Sequence, residues 1–263
     1  MGSSGGLPRV NRIGVGAPFR WLRGAWGDLW RAWPPLLAYG LALAAFSLWI
    51  SLSFVATGGA FWVFALTCGF VFVAPMLAMG LYEAGSLLAR GERPTLARML
   101  FVPRALSSDV AILGLALLMM FFFWLQIAQI VYGLSTWVIY RTVETLVRFA
   151  LTTPEGHGML IAGSLIGGAI AFLTYSLVVV SAPMLLDQET SVFVATITSF
   201  RTVAENFGPM IVWALLIAVL TLSTVLTGFL ALVIVFPWLG LASWRAYGDL
   251  VQAPRASAVE AAA

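Results

Sequence analysis

The chain alternates long apolar stretches with short segments that carry nearly all of its charge. A membrane span needs about 20 mostly apolar residues to cross about 30 Å of hydrocarbon, so four of these stretches each predict one transmembrane helix. A fifth stretch carries no charge and is too long for one span, which predicts two helices joined by a tight turn near Leu226–Gly228. The sequence therefore predicts an all-α membrane protein with six transmembrane helices, over Pro34–Thr57, Ala60–Tyr82, Val110–Gly133, Gly158–Leu185 and the two halves of Pro209–Trp244.

Every basic side chain is an arginine, and twelve of the 14 lie on one side of the predicted spans. Because cytoplasmic loops carry the excess of Lys and Arg, both termini are predicted to be cytoplasmic. The arginines flank apolar runs and form no clustered basic face, so nucleic acid is not an expected partner. The twelve are Arg9, Arg12, Arg20, Arg23, Arg31, Arg90, Arg93, Arg98, Arg104, Arg201, Arg245 and Arg255, against Arg141 and Arg148 on the other side.

Three segments outside the spans have apolar residues at helical spacing and polar residues on the opposite face. Residues 19–33 and 193–207 predict helices in the inner membrane interface, because their apolar faces are rich in aromatic residues and arginine lies opposite. Residues 136–151 predict a third surface helix on the outer side, with Glu144 placed to pair with Arg148. We expect residues 1–18 to be a flexible tail, residues 19–250 the transmembrane domain and residues 251–263 a disordered tail.

The two halves of the chain resemble each other when they are superposed at fixed offsets. An offset of 174 residues places Trp26 on Phe200 and Tyr39 on Trp213, and an offset of 162 places Pro75 on Pro237. The segment that ends at Leu186 supplies a third copy of the proline element, with Pro183 as its proline. This pattern predicts three repeats of parallel topology, each an interfacial helix followed by a helical hairpin whose second span is broken by proline. The three breaks either line a cytoplasm-facing cavity or simply shape the helices for packing.

Polar residues near or within the spans give the remaining candidate positions. Arg31 and Glu205 occupy equivalent positions of the repeat with opposite charge, as do Glu83 and Arg245. We therefore hypothesise that the pairs Arg31–Glu205 and Glu83–Arg245 meet at the inner membrane boundary and hold the repeats together. Gln126 and Gln129 lie three residues apart in one span and are expected to bond across helices, or alternatively to line a solute path.

No catalytic or metal centre is indicated by the sequence. The chain has one histidine, His157, and one cysteine, Cys68, whereas zinc, haem and copper centres need several such ligands. Cys68 shares a span with Met76 and Met79, soft ligands that copper(I) would accept, although methionines are common in apolar cores. Only 10% of the residues are charged and 61% are hydrophobic, and no carboxylate falls convincingly within a span. No enzyme activity, cofactor or metal is therefore expected.

Several segments resemble an uncharacterised family of bacterial integral membrane proteins, some of which carry the label cytochrome c oxidase. They include FRWLRGAWGDLWRAW, GFVFVAPMLAMGLYEAGSLLARGERPTL, SAPMLLD, ATITSFRTVAENFGPMIVWA and PWLGLASWRAYGDLV. The resemblance extends from about Val10 to Val251 and implies association with a respiratory complex at most, since an oxidase core needs several histidines. The expected function is an accessory, scaffold or assembly component of a membrane complex, with the lipid bilayer and other membrane subunits as partners. The alternative is a transporter or channel for a small or lipid-like solute, and the oligomeric state stays open.

Overall fold

The computed structural model describes residues 7–251, of which 82% are helical. This part of the chain forms twelve α-helices, and a 3-10 turn over Pro103–Leu106 precedes the sixth. The helices are α1 Ala17–Arg31, α2 Trp33–Ala56, α3 Ala60–Leu77, α4 Met79–Ala89, α5 Leu96–Leu100, α6 Ser108–Ser135, α7 Val143–Thr152, α8 Pro154–Val178, α9 Ser181–Asp187, α10 Val192–Glu205, α11 Phe207–Leu226 and α12 Leu232–Leu250.

Five helical segments in the described residues are long and apolar enough to cross a membrane. They are α2, α3, α6, α11 and the stretch Pro154–Asp187, which contains α8 and α9. These segments confirm a helical protein with several membrane spans. The predicted sixth span corresponds to α12, which is not among the five.

The short apolar part of α12 has an origin in the sequence. Residues 213–233 contain 12 fewer positions than the equivalent residues 39–71, which is why the repeat offset falls from 174 to 162. Helix α11 is four residues shorter than α2, and α12 has ten fewer residues before Pro237 than α3 has before Pro75. At 1.5 Å per residue, the two arms are shorter by about 6 Å and about 15 Å. In addition, the last two turns of α12 carry Arg245 and Asp249, so only its first half is continuously apolar.

The short helices gather at one end of the molecule, which we call the α1 end and define by α1, α4, α5, α9, α10 and the second half of α12. There α12 packs against α1, α2 and α4, and the indole Nε1 of Trp238 donates to the carbonyl oxygen of Leu22 at 2.7 Å. The opposite end, the α7 end, carries α7 and the turns that follow α2 and α11. The main hydrophobic core lies at the α1 end.

The helices predicted for residues 19–33 and 193–207 appear as α1 and α10. Each ends in a similar backbone bend, at Ala32 (φ −133°, ψ 35°) and at Asn206 (φ −124°, ψ 37°), and a span follows directly. These two bends are separated by the 174-residue offset of the predicted repeat. Both helices expose aromatic side chains, among them Trp30 and Phe193.

The helix predicted over residues 136–151 is wrong in its first half. Thr136 is extended, and helix α7 begins only at Val143, after Thr142 caps it by accepting a hydrogen bond from the backbone N–H of Thr145. The run TWVIYRT is rich in β-branched and aromatic residues, which lose side-chain freedom in a helix. The predicted Glu144–Arg148 pair does form, at 3.0 Å.

Candidate functional site

A cleft of about 370 Å³ lined by charged and aromatic side chains lies at the α1 end. It lies between α1, α4 and α12. Arg20 and Arg31 are exposed at its rim, so the cleft presents positive charge to its surroundings. Its lining residues are Arg20, Trp21, Asp28, Arg31, Gly85, Leu88, Ala89, Leu241, Trp244, Arg245, Gly248 and Asp249.

A buried carboxylate organises this cleft. Asp28 of α1 is buried, and its Oδ2 accepts a hydrogen bond from Nε of Arg245 in α12 at 2.6 Å. Gly24 makes this ion pair possible, because a Cβ atom at Gly24 would lie 2.8 Å from Nη1 of Arg245. The guanidinium therefore crosses α1 over a position without a side chain. Arg31 adds a longer contact to Asp28 of 3.8 Å.

The two hypothesised charge pairs are wrong, since neither forms in the described part of the chain. Arg245 and Arg31 both contact Asp28 instead. Glu83 lies 3.6 Å from Arg98 in the neighbouring helix α5, and Glu205 lies 2.7 Å from Arg201, one turn away on α10. Equivalent positions in a repeat need not be neighbours, so each charge takes the nearest partner that its own helix packing provides.

The N-terminal segment and the end of α12 meet beside this cleft. Val10 and Val251 form an isolated antiparallel β-bridge, and the backbone N–H of Asn11 donates to the carbonyl oxygen of Leu250 at 2.9 Å. Asn206 extends the contact, because its Oδ1 accepts from the N–H of Ile13 and its Nδ2 donates to the carbonyl oxygen of Asn11. Residues 10–13 of the predicted tail are thus hydrogen-bonded into the fold. Residues 1–6 and 252–263 lie outside the described residues.

A second polar cluster at the α1 end ties α9 to α12. The phenol of Tyr247 donates to Oδ2 of Asp187 at 2.7 Å and accepts from Nε2 of Gln188 at 2.8 Å. Burial, followed by the hydrogen bond to the Asp187 carboxylate, raises the pKa of Tyr247 far above its ordinary value. Nη1 of Arg104 donates to the carbonyl oxygens of Leu186 and Asp187, the last residues of α9. Sequence reasoning missed this cluster because its members come from three separate segments without a shared period.

The three repeat prolines occupy different local structures. Helix α3 ends two residues after Pro75, and the break between α8 and α9 precedes Pro183. Helix α12, in contrast, runs continuously through Pro237, so the predicted break is wrong in the copy that contains Pro237. None of the three prolines lines the described cleft.

Gly40 explains how α12 accommodates its proline. Pro237 has no N–H to donate to the carbonyl four residues earlier, that of Val233. A Cβ atom at Gly40 of α2 would lie 2.2 Å from that carbonyl oxygen. The bare backbone of α2 therefore packs directly against the free carbonyl, as a Cα–H donor can.

Gln126 and Gln129 lie apart from this end of the molecule. Both side chains are exposed on α6, and neither forms a hydrogen bond within residues 7–251. The expected bond to another helix of this chain is therefore absent there. Because both face outward, they do not line a path through the interior.

The soft and titratable side chains are scattered. His157 is exposed in the first turn of α8, where its Nε2 lies 2.9 Å from the carbonyl oxygen of Leu151. Cys68 is exposed on α3. Within the described residues, no three His, Cys, Asp or Glu side chains lie close enough together to hold a metal ion.

Comparison with known proteins identifies the type of molecule. Residues 63–187 match the model of a family described as "Predicted integral membrane protein (DUF2189)". The expected resemblance to an uncharacterised membrane-protein family is confirmed over this segment, whose description mentions no oxidase. Searches of curated proteins and of solved structures found no match.

Proposed function

We propose that this chain is a non-enzymatic accessory, scaffold or assembly component of a complex in the bacterial inner membrane, with a respiratory complex as one candidate. In this proposal the α1 end faces the cytoplasm. The arginines at the rim of the cleft then lie at the inner leaflet, where anionic lipid headgroups attract basic side chains.

The observation that carries the proposal is the hydrogen bonding of the polar groups in the interior. The buried hydroxyls of Thr174, Thr198 and Thr202 each donate to a carbonyl oxygen four residues earlier in the same helix. Among the buried side-chain polar atoms of the described residues, only Nε1 of Trp213 has no partner. Interior polar groups that are already satisfied leave little to coordinate a solute, which favours a role through surfaces over transport.

The exposed surface supports the same interpretation. Helices α1 and α10 present Trp26, Trp30, Phe193 and Phe200 outward at the level where the spans begin. Aromatic side chains of this kind sit at the membrane interface or bind a partner at that depth. The alternative, a transporter or channel, requires polar side chains that face a continuous path.

The meeting of the chain ends supports an even number of crossings. Because Val10 pairs with Val251, both ends of the described chain lie at the α1 end. Five crossings would place them on opposite sides. We therefore infer that the hairpin of α11 and α12 provides the fifth and sixth crossings, with the three-repeat arrangement predicted from the sequence.

Cysteine labelling in intact cells tests this topology. In a Cys68→Ser background, single cysteines replace Glu92 in the α4–α5 loop, Trp137 at the α7 end and Leu230 in the α11–α12 turn. We expect a membrane-impermeant maleimide to label the Trp137 and Leu230 positions from outside and the Glu92 position only after lysis. Failure of the Leu230 variant to react from outside would refute the sixth crossing, with the Trp137 variant as its control.

Purification in a mild detergent tests the function. The tagged chain is expressed at native level, and its stoichiometric partners are identified by mass spectrometry with and without the substitution Asp28→Ala. We expect membrane subunits to co-purify with the native chain and to be lost or reduced when the cleft is disrupted. A chain that purifies alone and moves a solute saturably across reconstituted vesicles would refute the accessory role.

A further inference from the structure

Two glutamines on α6 face outward at the depth of the hydrocarbon. The midpoint of α6 falls between Phe121 and Phe122. At 1.5 Å per residue, Gln126 lies about 7 Å and Gln129 about 11 Å from that midpoint. The hydrocarbon extends about 15 Å to each side of its centre, so both side chains lie within it when α6 is centred.

Such side chains need a partner. Each amide has two N–H donors and a carbonyl acceptor, and lipid tails offer nothing to either. A hydroxyl side chain in a span can bond within its own helix, as Thr67 of α3 does by donating to the carbonyl oxygen of Val63 at 2.6 Å. Gln126 and Gln129 form no hydrogen bond within the described residues, and both side chains are exposed on the outer face of α6.

The glutamines belong to a regular stripe, which we call the α6 stripe: Leu115, Met119, Phe122, Gln126, Gln129 and Gly133. Its members alternate spacings of four and three residues, the 3.5-residue repeat of two helices that pack along a shared seam. Every member is exposed. The buried residues of α6, including Leu113, Leu117 and Trp124, lie on the opposite side of the helix and pack toward α3 and α8.

We propose that the α6 stripe is the interface of a homodimer, in which Gln126 and Gln129 bond to the same residues of a second copy. Two copies inserted with the same orientation are related by a two-fold axis along the membrane normal, so their α6 helices run parallel. A parallel seam places like positions opposite each other. A glutamine amide is both donor and acceptor and therefore complements itself, whereas a carboxylate or an arginine would repel its own copy.

Adjacent residues of α6 provide a matched test of the geometry. Phe122 lies in the stripe and Phe123 lies about 100° around the helix, yet they are exposed to similar extents of 59% and 55%. In a Cys68→Ser background, oxidation of membranes that contain Phe122→Cys is expected to give a disulfide-linked dimer. Phe123→Cys is expected to give little or no linked dimer, because the Cα atoms of position 123 in the two copies would be too far apart for a disulfide bond. Equal cross-linking of both variants, or a Phe122→Cys adduct only with a different protein, would overturn the proposal.

The glutamines are tested by the double substitution Gln126→Leu and Gln129→Leu. Energy transfer between labelled copies in liposomes, measured over a range of protein-to-lipid ratios, reports the dimer dissociation constant. We expect the double variant to dimerise at least about tenfold more weakly, given the strength of polar contacts between membrane helices. Phe123→Leu serves as the control and should dimerise like the native chain.

The fold should survive these changes, because both glutamine side chains are exposed and neither forms a hydrogen bond within residues 7–251. Circular dichroism and thermal unfolding of the double variant therefore check that a weaker dimer is not a misfolded chain. A native chain that is monomeric at every ratio, or a double variant that dimerises as tightly as the native chain, would refute the inference. Neither result would bear on the accessory role, which concerns other subunits.

Discussion

The α1 end and the membrane-spanning helices bury very different shares of their residues. Helix α9 buries six of its seven residues and α4 buries seven of 11, whereas α2 buries three of 24 and α11 three of 20. The spans are covered by lipid, so their apolar side chains need no protein neighbour. The helices of the α1 end pack on one another and carry the interhelical ion pair and indole hydrogen bonds.

This difference shows where the fold is specified. Lipid tails are as apolar as leucine, so exposed positions of α2 or α11 accept any apolar residue with little effect. At the α1 end, indole donors and a buried carboxylate accept few alternatives, because an unpaired buried polar group is costly. We therefore expect substitutions at the α1 end to dominate the stability of the protein.

The largest contrast is expected between two tryptophans. Trp213, one of the three buried residues of α11, is 0% exposed and packs edge to face on Trp21 of α1 at 5.6 Å, within the core of the α1 end. Trp137 near the α7 end is 101% exposed. Trp213→Ala should lower the free energy of unfolding by about 3–5 kcal/mol, and Trp137→Ala by about 0.5 kcal/mol or less. Unfolding in mixed micelles, followed by circular dichroism, measures both. Comparable losses would show that the two ends are equally specified.

A second contrast compares two glycines within spans. Gly40→Ala places a Cβ atom 2.2 Å from the carbonyl oxygen of Val233, while a Cβ atom at Gly168 meets nothing within 4 Å. We expect Gly40→Ala to cost about 2–3 kcal/mol, because backbone must move. Gly168→Ala should be neutral or stabilising, since alanine is the better helix former. If Gly40→Ala were also neutral, the close packing of α2 on α12 would be refuted.

The sequence predicted the helices better than the contacts between them. Apolar runs and amphipathic periods reveal α1, α2, α6 and α10 because each pattern depends on one helix and its solvent. The partner of Arg245 depends instead on how α12 crosses α1, and the sequence does not encode that crossing in a local pattern. Equivalent positions in the repeat therefore predicted the wrong partner for Arg245. They indicated Glu83, whereas Arg245 pairs with Asp28 in the structure.

The length of the last hairpin and the docking of residues 10–13 differ in how well the sequence alone could have predicted them. The repeat offset falls from 174 to 162 residues, which already indicates a short last hairpin. The short sixth span could therefore be predicted from the sequence. The docking of residues 10–13 on Asn206 was not, since that segment has no periodic signal and its bonds are largely to backbone. Long-range backbone contacts of this kind leave no trace in side-chain pattern.

The third contrast compares two ion pairs. In the Asp28–Arg245 pair the side chain of Asp28 is only 11% exposed. In the Glu144–Arg148 pair of α7 both side chains are largely exposed. Asp28→Ala should cost about 1–2 kcal/mol, because it leaves Arg245 without its partner in the cleft, and Glu144→Ala less than about 0.5 kcal/mol. A double-mutant cycle should find coupling for Asp28 with Arg245 and none for Glu83 with Arg245. Coupling in the second cycle alone would restore the repeat-based pairing.

The smallest effect is expected in the exposed loop between α4 and α5. The hydrogen bond from Arg98, at 2.7 Å, is the main cause that holds the pKa of Glu92 below its ordinary value, and the charge of Arg90 contributes less. Because this pKa is lowered in the folded state, the contribution of the contact is present at neutral pH and is lost as the pH falls through that pKa. Arg98→Gln should therefore raise the carboxyl titration midpoint of Glu92, measured by NMR, more than Arg90→Gln does. Equal shifts of the Glu92 titration midpoint in the two variants would mean that the nearby positive charge as a whole, and not the hydrogen bond from Arg98, lowers this pKa. The specific contacts of the α1 end would then not extend into this exposed loop.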